Sequence, residues 1–179
     1  MRISKILEDC GALSVKGDSG RDILSITADS RKVSAGCMFI AVKGFATDGH
    51  IFIDKALEAG ASAIVYDNAQ DAEPWSEKYP EAAFIRVESS RHALGIIASN
   101  FYGRPSEKLT LVGITGTNGK TTTVTLLYRM FTRLGYNCGL LSTIANYVGE
   151  RMSEAVNTTS DPITINSLMA EMVDAGCAF

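Results

Sequence analysis

The run Gly113-Ile114-Thr115-Gly116-Thr117-Asn118-Gly119-Lys120-Thr121-Thr122-Thr123 gathers glycine, lysine and hydroxyl side chains in an order suited to holding phosphates. Glycines let a loop curl until its N–H groups converge on an anion, and a helix N-terminus behind the loop adds positive potential. Lys120 is placed to reach the β- and γ-phosphates of a nucleoside triphosphate. The Thr121 or Thr122 hydroxyl is placed to ligate Mg²⁺, and Thr121 is the candidate metal ligand. Gly116, Thr117, Asn118, Gly119, Lys120, Thr121 and Thr122 are thus candidate residues for binding a nucleoside triphosphate, and Lys120 is the candidate catalytic group. The general phosphate-loop pattern wants glycine where this chain has Ile114; glycines sit at Gly113 and Gly116 instead. Three threonines in a first helical turn are poor helix formers unless their hydroxyls are used.

Such a loop needs a strand before it and a helix after it. Leu109-Thr110-Leu111-Val112 reads as the strand, and Val124, Leu126, Leu127, Met130, Phe131 and Leu134 recur at helical spacing. Further on, a strand is expected around Gly139–Thr143, a hairpin near Tyr147–Glu150 and a helix from about Ile163 to Val173. Upstream, Ile3, Ile6 and Leu7 suggest a short helix. Strands are expected at Ile23–Ala28, Cys37–Val42, Ala63–Tyr66 and Ala83–Val87. One helix would turn Ile53, Ala56, Leu57 and Ala59 inward, and another His92, Leu94, Ile97, Ala98 and Phe101. The polar, Pro-containing stretch from Asp71 to Tyr79 reads as a surface excursion or short helix. Strands alternating with helices predict an α/β fold with parallel pairing. Gly103-Arg104-Pro105-Ser106 is the best boundary, giving an N-terminal α/β domain over 1–105 and the start of a doubly wound phosphate-loop domain over 106–179.

Composition excludes several classes. An apolar fraction of 46% over 179 residues is enough for a sizeable core, and a net charge of −3 carries no nucleic-acid footprint. Cys10, Cys37, Cys138 and Cys177 are scattered without metal spacing, in keeping with buried free thiols in a reducing cytoplasm. The N-terminus carries charges where a signal peptide needs an apolar run, and no apolar stretch reaches membrane-spanning length. His50 and His92 receive no role, Asp48 reads as a cap or turn residue, and Arg31 either meets a phosphate or pairs with a local carboxylate.

Taken together, these segments resemble the N-terminal part of a Mur ligase, of the MurE type rather than the MurF type that adds D-Ala-D-Ala. The resemblance covers essentially the whole chain. It rests on Gly113–Thr122, on Ala28-Asp29-Ser30-Arg31 with Gly36–Ala41, on Gly44-Phe45-Ala46-Thr47-Asp48-Gly49-His50, and on Asn157-Thr158-Thr159-Ser160-Asp161. Many members carry proline or glycine in place of Ser160. The family's own phosphate loop is similar to this one, Ile114 included. The resemblance implies an ATP-dependent amide ligase of peptidoglycan precursor synthesis. It would join meso-diaminopimelate or L-lysine to UDP-N-acetylmuramoyl-L-Ala-D-Glu through an acyl phosphate, with ATP and Mg²⁺.

In that reading Ala28, Ser30, Phe45, Ala46 and Thr47 line the UDP site, and Asn157, Thr158 and Thr159 meet the muramoyl-dipeptide end. Thr158 and Thr159 have the alternative of capping the helix near Pro162. A kinase or NTPase and a non-catalytic UDP-sugar-binding module are the other classes considered. Only two strands and two helices follow residue 108, so the chain is expected to be a truncated portion, unable to complete the ligation alone. Its uncovered sheet edge and helix faces predict self-association.

Overall fold

The computed structural model describes residues 1–44, 47–67, 72–154 and 161–179. The chain divides into two compact units, Met1–Phe101 and Tyr102–Phe179. The first contains α1 (Ile3–Ile6), β1 (Ala12–Lys16), β2 (Ser25–Thr27), β3 (Cys37–Ile40), α2 (Ile53–Glu58), β4 (Ala63–Tyr66), α3 (Glu73–Lys78), β5 (Ala83–Val87) and α4 (Ser90–Phe101). Its sheet runs β1-β5-β4-β3-β2. Strands β2 to β5 are parallel, and β1 lies antiparallel on the β5 edge.

The central strands β3 and β4 are buried at every position, as their unbroken apolar runs require of a parallel sheet covered on both faces. Alternation along the strands sorts their side chains. Phe39, Ile64 and Phe84 cluster with Ala56, Leu57 and Trp75 from α2 and α3. Met38, Ile40, Val65 and Ile85 fall on the opposite face and are fully buried, while α1 and α4 bury Ile3, Ile6, Ala93, Leu94, Ile97 and Ala98. Trp75 stacks on Phe84 with ring centroids 6.4 Å apart and meets Tyr66 edge-on at 5.9 Å. Of the two alternatives for the stretch at 71–79, the short helix is the one found: α3 spans Glu73–Lys78 and turns Trp75 into the core.

Three local expectations change. Strand β1 was not expected from its sequence: all five of its residues are exposed, so the backbone edge of β5, not burial, recruits it. Ala59 is exposed because α2 ends at Glu58. His92 is exposed because it sits on the opposite side of α4 from Ala93, Leu94, Ile97 and Ala98.

The second unit holds α5 (Lys120–Arg133), β6 (Gly139–Leu140), β7 (Ala145–Val148), β8 (Arg151–Glu154) and α6 (Pro162–Asp174). Strands β6, β7 and β8 form an antiparallel sheet, with the expected hairpin turning at Gly149 and Glu150. Leu109–Val112 is not a regular strand. Its Thr110 amide donates to the Ala178 carbonyl at 3.0 Å, the Ala178 amide to Asn137 at 2.8 Å, and the Gly139 amide to Phe179 at 2.8 Å. Ala178 thus bridges the two segments, but one bond at Thr110 is too little to define a ladder, and Leu111 and Val112 stay 55% and 53% exposed.

Leu109, Val148, Met169, Met172 and Cys177 form this unit's core. Helix α5 has no buried residue. Val124, Leu127, Tyr128 and Phe131 face an apolar cavity of about 160 Å³, whereas Leu126, Met130 and Leu134 are exposed. The apolar positions of this helix therefore form two ridges, and only one faces the unit's interior. All four cysteines are free and buried, and burial pushes the thiols of Cys10, Cys37 and Cys138 up.

Candidate functional site

The glycine-rich loop leads directly into α5, whose N-cap is Gly119 at φ +79°. An L-residue is strained there, so glycine is what lets the chain enter the helix at this angle. Lys120 opens the helix and folds back onto the loop, its Nζ donating to the carbonyls of Gly116 at 2.5 Å and Thr117 at 3.3 Å. An ammonium held over the loop by its own carbonyls is poised to exchange them for phosphate oxygens.

The Thr121 and Thr143 hydroxyls lie 3.4 Å apart. Thr143 lies within a turn built by Ser142, whose Oγ donates to the Ala145 carbonyl at 2.6 Å, while the buried Asn146 accepts the Ser142 amide at 3.2 Å. Sequence reasoning missed Thr143, because it stands 22 residues from Thr121 and only the fold brings them together. Gly116–Thr122 is exposed apart from the half-buried Thr121. No group of three or more His, Cys, Asp or Glu residues suited to a metal ion occurs among the described residues. A cation here would rest on the Thr121 hydroxyl and on phosphate oxygens, and the donor set of loop amides, ammonium and hydroxyls fits Mg·ATP.

Ala28, Ser30 and Thr47, the described candidates in the first unit, sit past the C-terminal ends of its parallel strands, where open α/β sheets hold ligands. Ala28 and Ser30 follow β2; Thr47 lies in the loop beyond β3, the strand paired with β2. Ala28 and Thr47 are exposed and Ser30 is half-buried. Phe45, Ala46, Asn157, Thr158 and Thr159 lie outside the described residues. Ser30 opens a 3₁₀ turn, Ser30–Lys32, that Asp29 caps by accepting the Arg31 amide.

The Arg31 guanidinium grips the Asp29 carboxylate at 2.8 and 2.9 Å and holds its pKa down at about 2. Arg31 is thus engaged with a local carboxylate. Asp48 caps the next 3₁₀ turn, Gly49–Phe52, as its residue type suggested. Asp161, with both carboxylate oxygens accepting, caps α6.

Two family models match the chain: "Mur ligase family, catalytic domain" over residues 22–102 and "Mur ligase middle domain" over residues 114–179. The chain is 49% identical over 99% of its length to the UDP-N-acetylmuramoyl-L-alanyl-D-glutamate–2,6-diaminopimelate ligase of Cytophaga hutchinsonii, covering 36% of that relative. It belongs to the Mur ligase family. Proteins of the same description from Parabacteroides distasonis and Clostridium tetani are 46% and 40% identical over 100% and 98% of the chain, which covers 36% of each. The chain therefore spans about a third of the length of the curated relatives it matches.

Among solved structures, one described as a UDP-N-acetylmuramoyl-L-alanyl-D-glutamate–2,6-diaminopimelate ligase matches all of this Mur ligase chain and 34% of its own, with a TM-score of 0.74 at 20% identity. That similarity is one of fold. The MurF ligase of Thermotoga maritima, solved in complex with ADP, matches 79% of the chain and 28% of its own, with a TM-score of 0.52 at 30% identity.

Proposed function

We propose that this chain is part of a MurE-type ligase, an ATP-dependent enzyme that joins an amino acid to UDP-N-acetylmuramoyl-L-Ala-D-Glu during peptidoglycan precursor synthesis. The observation that carries this reading is the similarity, over nearly the whole chain, to relatives named as 2,6-diaminopimelate ligases. That name favours diaminopimelate over lysine as the added amino acid.

The first unit binds the UDP part of the substrate through Ala28, Ser30, Phe45, Ala46 and Thr47. Gly116 to Thr122 hold ATP, and Asn157, Thr158 and Thr159 meet the peptide end. When bound, Mg²⁺ supplies charge neutralisation on the phosphates, with the Thr121 hydroxyl as its protein ligand. The substrate's terminal carboxylate attacks the γ-phosphorus of ATP, breaking the β,γ P–O bond and releasing ADP, to give an acyl phosphate. The incoming amine then adds to the acyl carbon and loses a proton, and the tetrahedral intermediate expels phosphate to leave the amide. Lys120 exchanges its carbonyl partners for phosphate oxygens and offsets the charge gathering on the transferred group, while the loop amides fix its position. The buried free thiols suit a reducing cytoplasm, and neither nucleic acid nor membrane has a part in this chemistry. The exposed ridge Leu126, Met130 and Leu134 packs against a second copy at high concentration.

A MurF-type ligase is the second reading, and a relative's name separates the two. One solved MurF-type protein is described as acting on UDP-N-acetylmuramoylalanyl-D-glutamyl-2,6-diaminopimelate, a substrate one residue longer. Titration calorimetry with the UDP-muramoyl dipeptide and the UDP-muramoyl tripeptide distinguishes them. The MurE reading expects tighter binding of the dipeptide; preference for the tripeptide would reverse the assignment.

A further inference from the structure

We infer that His50 is a positioning residue for the UDP site, fixing Thr47 by tying the loop after β3 to the ends of β4 and α4. This rests on the reading that Thr47 contacts the uridine nucleotide.

The His50 side chain is only 9% exposed, and both ring nitrogens are engaged. Its Nδ1 lies 2.5 Å from Asp48 Oδ1. Its Nε2 faces two groups of Asp67, the residue after β4: the amide at 3.3 Å and Oδ1 at 3.0 Å. The ring accepts from that amide as neutral imidazole or donates to that carboxylate as imidazolium, so the tie persists in either protonation state.

Asp67 is itself fixed. Its Oδ2 accepts the Ser90 amide at 2.8 Å and the Ser90 hydroxyl at 2.9 Å, and Ser90, the first residue of α4, is fully buried. The polar chain Asp48–His50–Asp67–Ser90 thus joins the connections that follow three parallel strands.

The same loop is pinned at its base. The Gly44 amide donates to the Thr47 carbonyl and the Gly49 amide to the Val42 carbonyl, both at 3.0 Å. A Cβ at Gly49 would fall 2.7 Å from that Val42 oxygen, so only glycine lets the chain return this closely. From α4, Arg91 Nη2 donates to the Lys43 carbonyl at 2.7 Å. An exposed residue, Thr47, is thereby held by a partly buried network centred three residues away. Supporting shells hold binding groups in this way.

The test is titration calorimetry of the full 179-residue chain with UDP-N-acetylmuramoyl-L-Ala-D-Glu, comparing wild type, Ser30→Ala, His50→Ala, His50→Gln and Asp67→Asn. If releasing the tie leaves the loop in its binding arrangement one-tenth of the time, Kd rises about tenfold. His50→Ala should show that rise at a temperature where circular dichroism reports a fully folded protein. Mg·ATP affinity should be unchanged. His50→Gln keeps a polar atom facing Asp67 and should recover part of the loss. Asp67→Asn supplies the comparison if His50→Ala fails to fold, and should also weaken the UDP ligand.

If wild type binds the ligand and Ser30→Ala weakens it, yet the folded His50 and Asp67 variants bind like wild type, the positioning role is wrong and the UDP site stands. If wild type does not bind the ligand at all, the functional reading fails and the role of His50 falls with it.

Discussion

At the scale of single residues, Asp29 sets the turn that presents Ser30. Its carboxylate both caps the 3₁₀ turn and pairs with Arg31, and that pairing holds it near a pKa of about 2. A carboxylate lowered on folding stabilises at pH values above its unfolded pKa of ~3.9, and the contribution is lost as pH falls through the folded value. The pair should therefore weaken between about pH 4 and pH 2. In an NMR titration of the Asp29 carboxyl, Arg31→Gln should raise the midpoint toward ~3.9; an unmoved midpoint would show that the pair is not what lowers it. Lys120 is the other decisive residue. Replacing it with alanine removes the one charged donor of the phosphate loop, without touching a buried group.

At the scale of elements, Asp161 stops the chain from entering α6 uncapped. Its Oδ1 accepts the amides of Ile163 and Thr164 at 2.9 and 3.1 Å, and its Oδ2 the Thr164 hydroxyl at 2.7 Å. Asp161→Ala should cost about 1 kcal/mol, read as a lower denaturant midpoint for the second unit. No change there would mean the helix is held by packing alone. The parallel strands β3, β4 and β5 were legible because each is an apolar run bounded by turn residues. The phosphate loop was legible because its glycines and Lys120 are adjacent in sequence.

Other features were not legible, and the reasons are physical. Strand β1 is exposed along its whole length, so no burial pattern marks it. Leu109–Val112 has the composition of a strand but only a single backbone bond to Ala178. The His50–Asp67–Ser90 chain joins residues 17 and 23 positions apart, and Thr121–Thr143 spans 22. Such pairings come from crossover connections, which sequence spacing does not reveal.

At the scale of the whole molecule, two features matter: an apolar ridge and a division of labour. Leu126, Met130 and Leu134 are 61%, 47% and 66% exposed along one side of α5, and exposed apolar rows of this kind favour association. Light scattering should show a mass that rises with concentration and returns to the monomer value in Met130→Glu; a constant monomer mass would exclude the second copy. The proposed division of labour gives the uridine nucleotide to the first unit and ATP to the second. Its most direct test is titration calorimetry of wild type, Ser30→Ala and Lys120→Ala, each with UDP-N-acetylmuramoyl-L-Ala-D-Glu and with Mg·ATP. Wild type should bind both ligands, Ser30→Ala should lose affinity for the UDP ligand alone, and Lys120→Ala for ATP alone. Loss of both ligands in a folded single variant, or no binding of either by wild type, would contradict it.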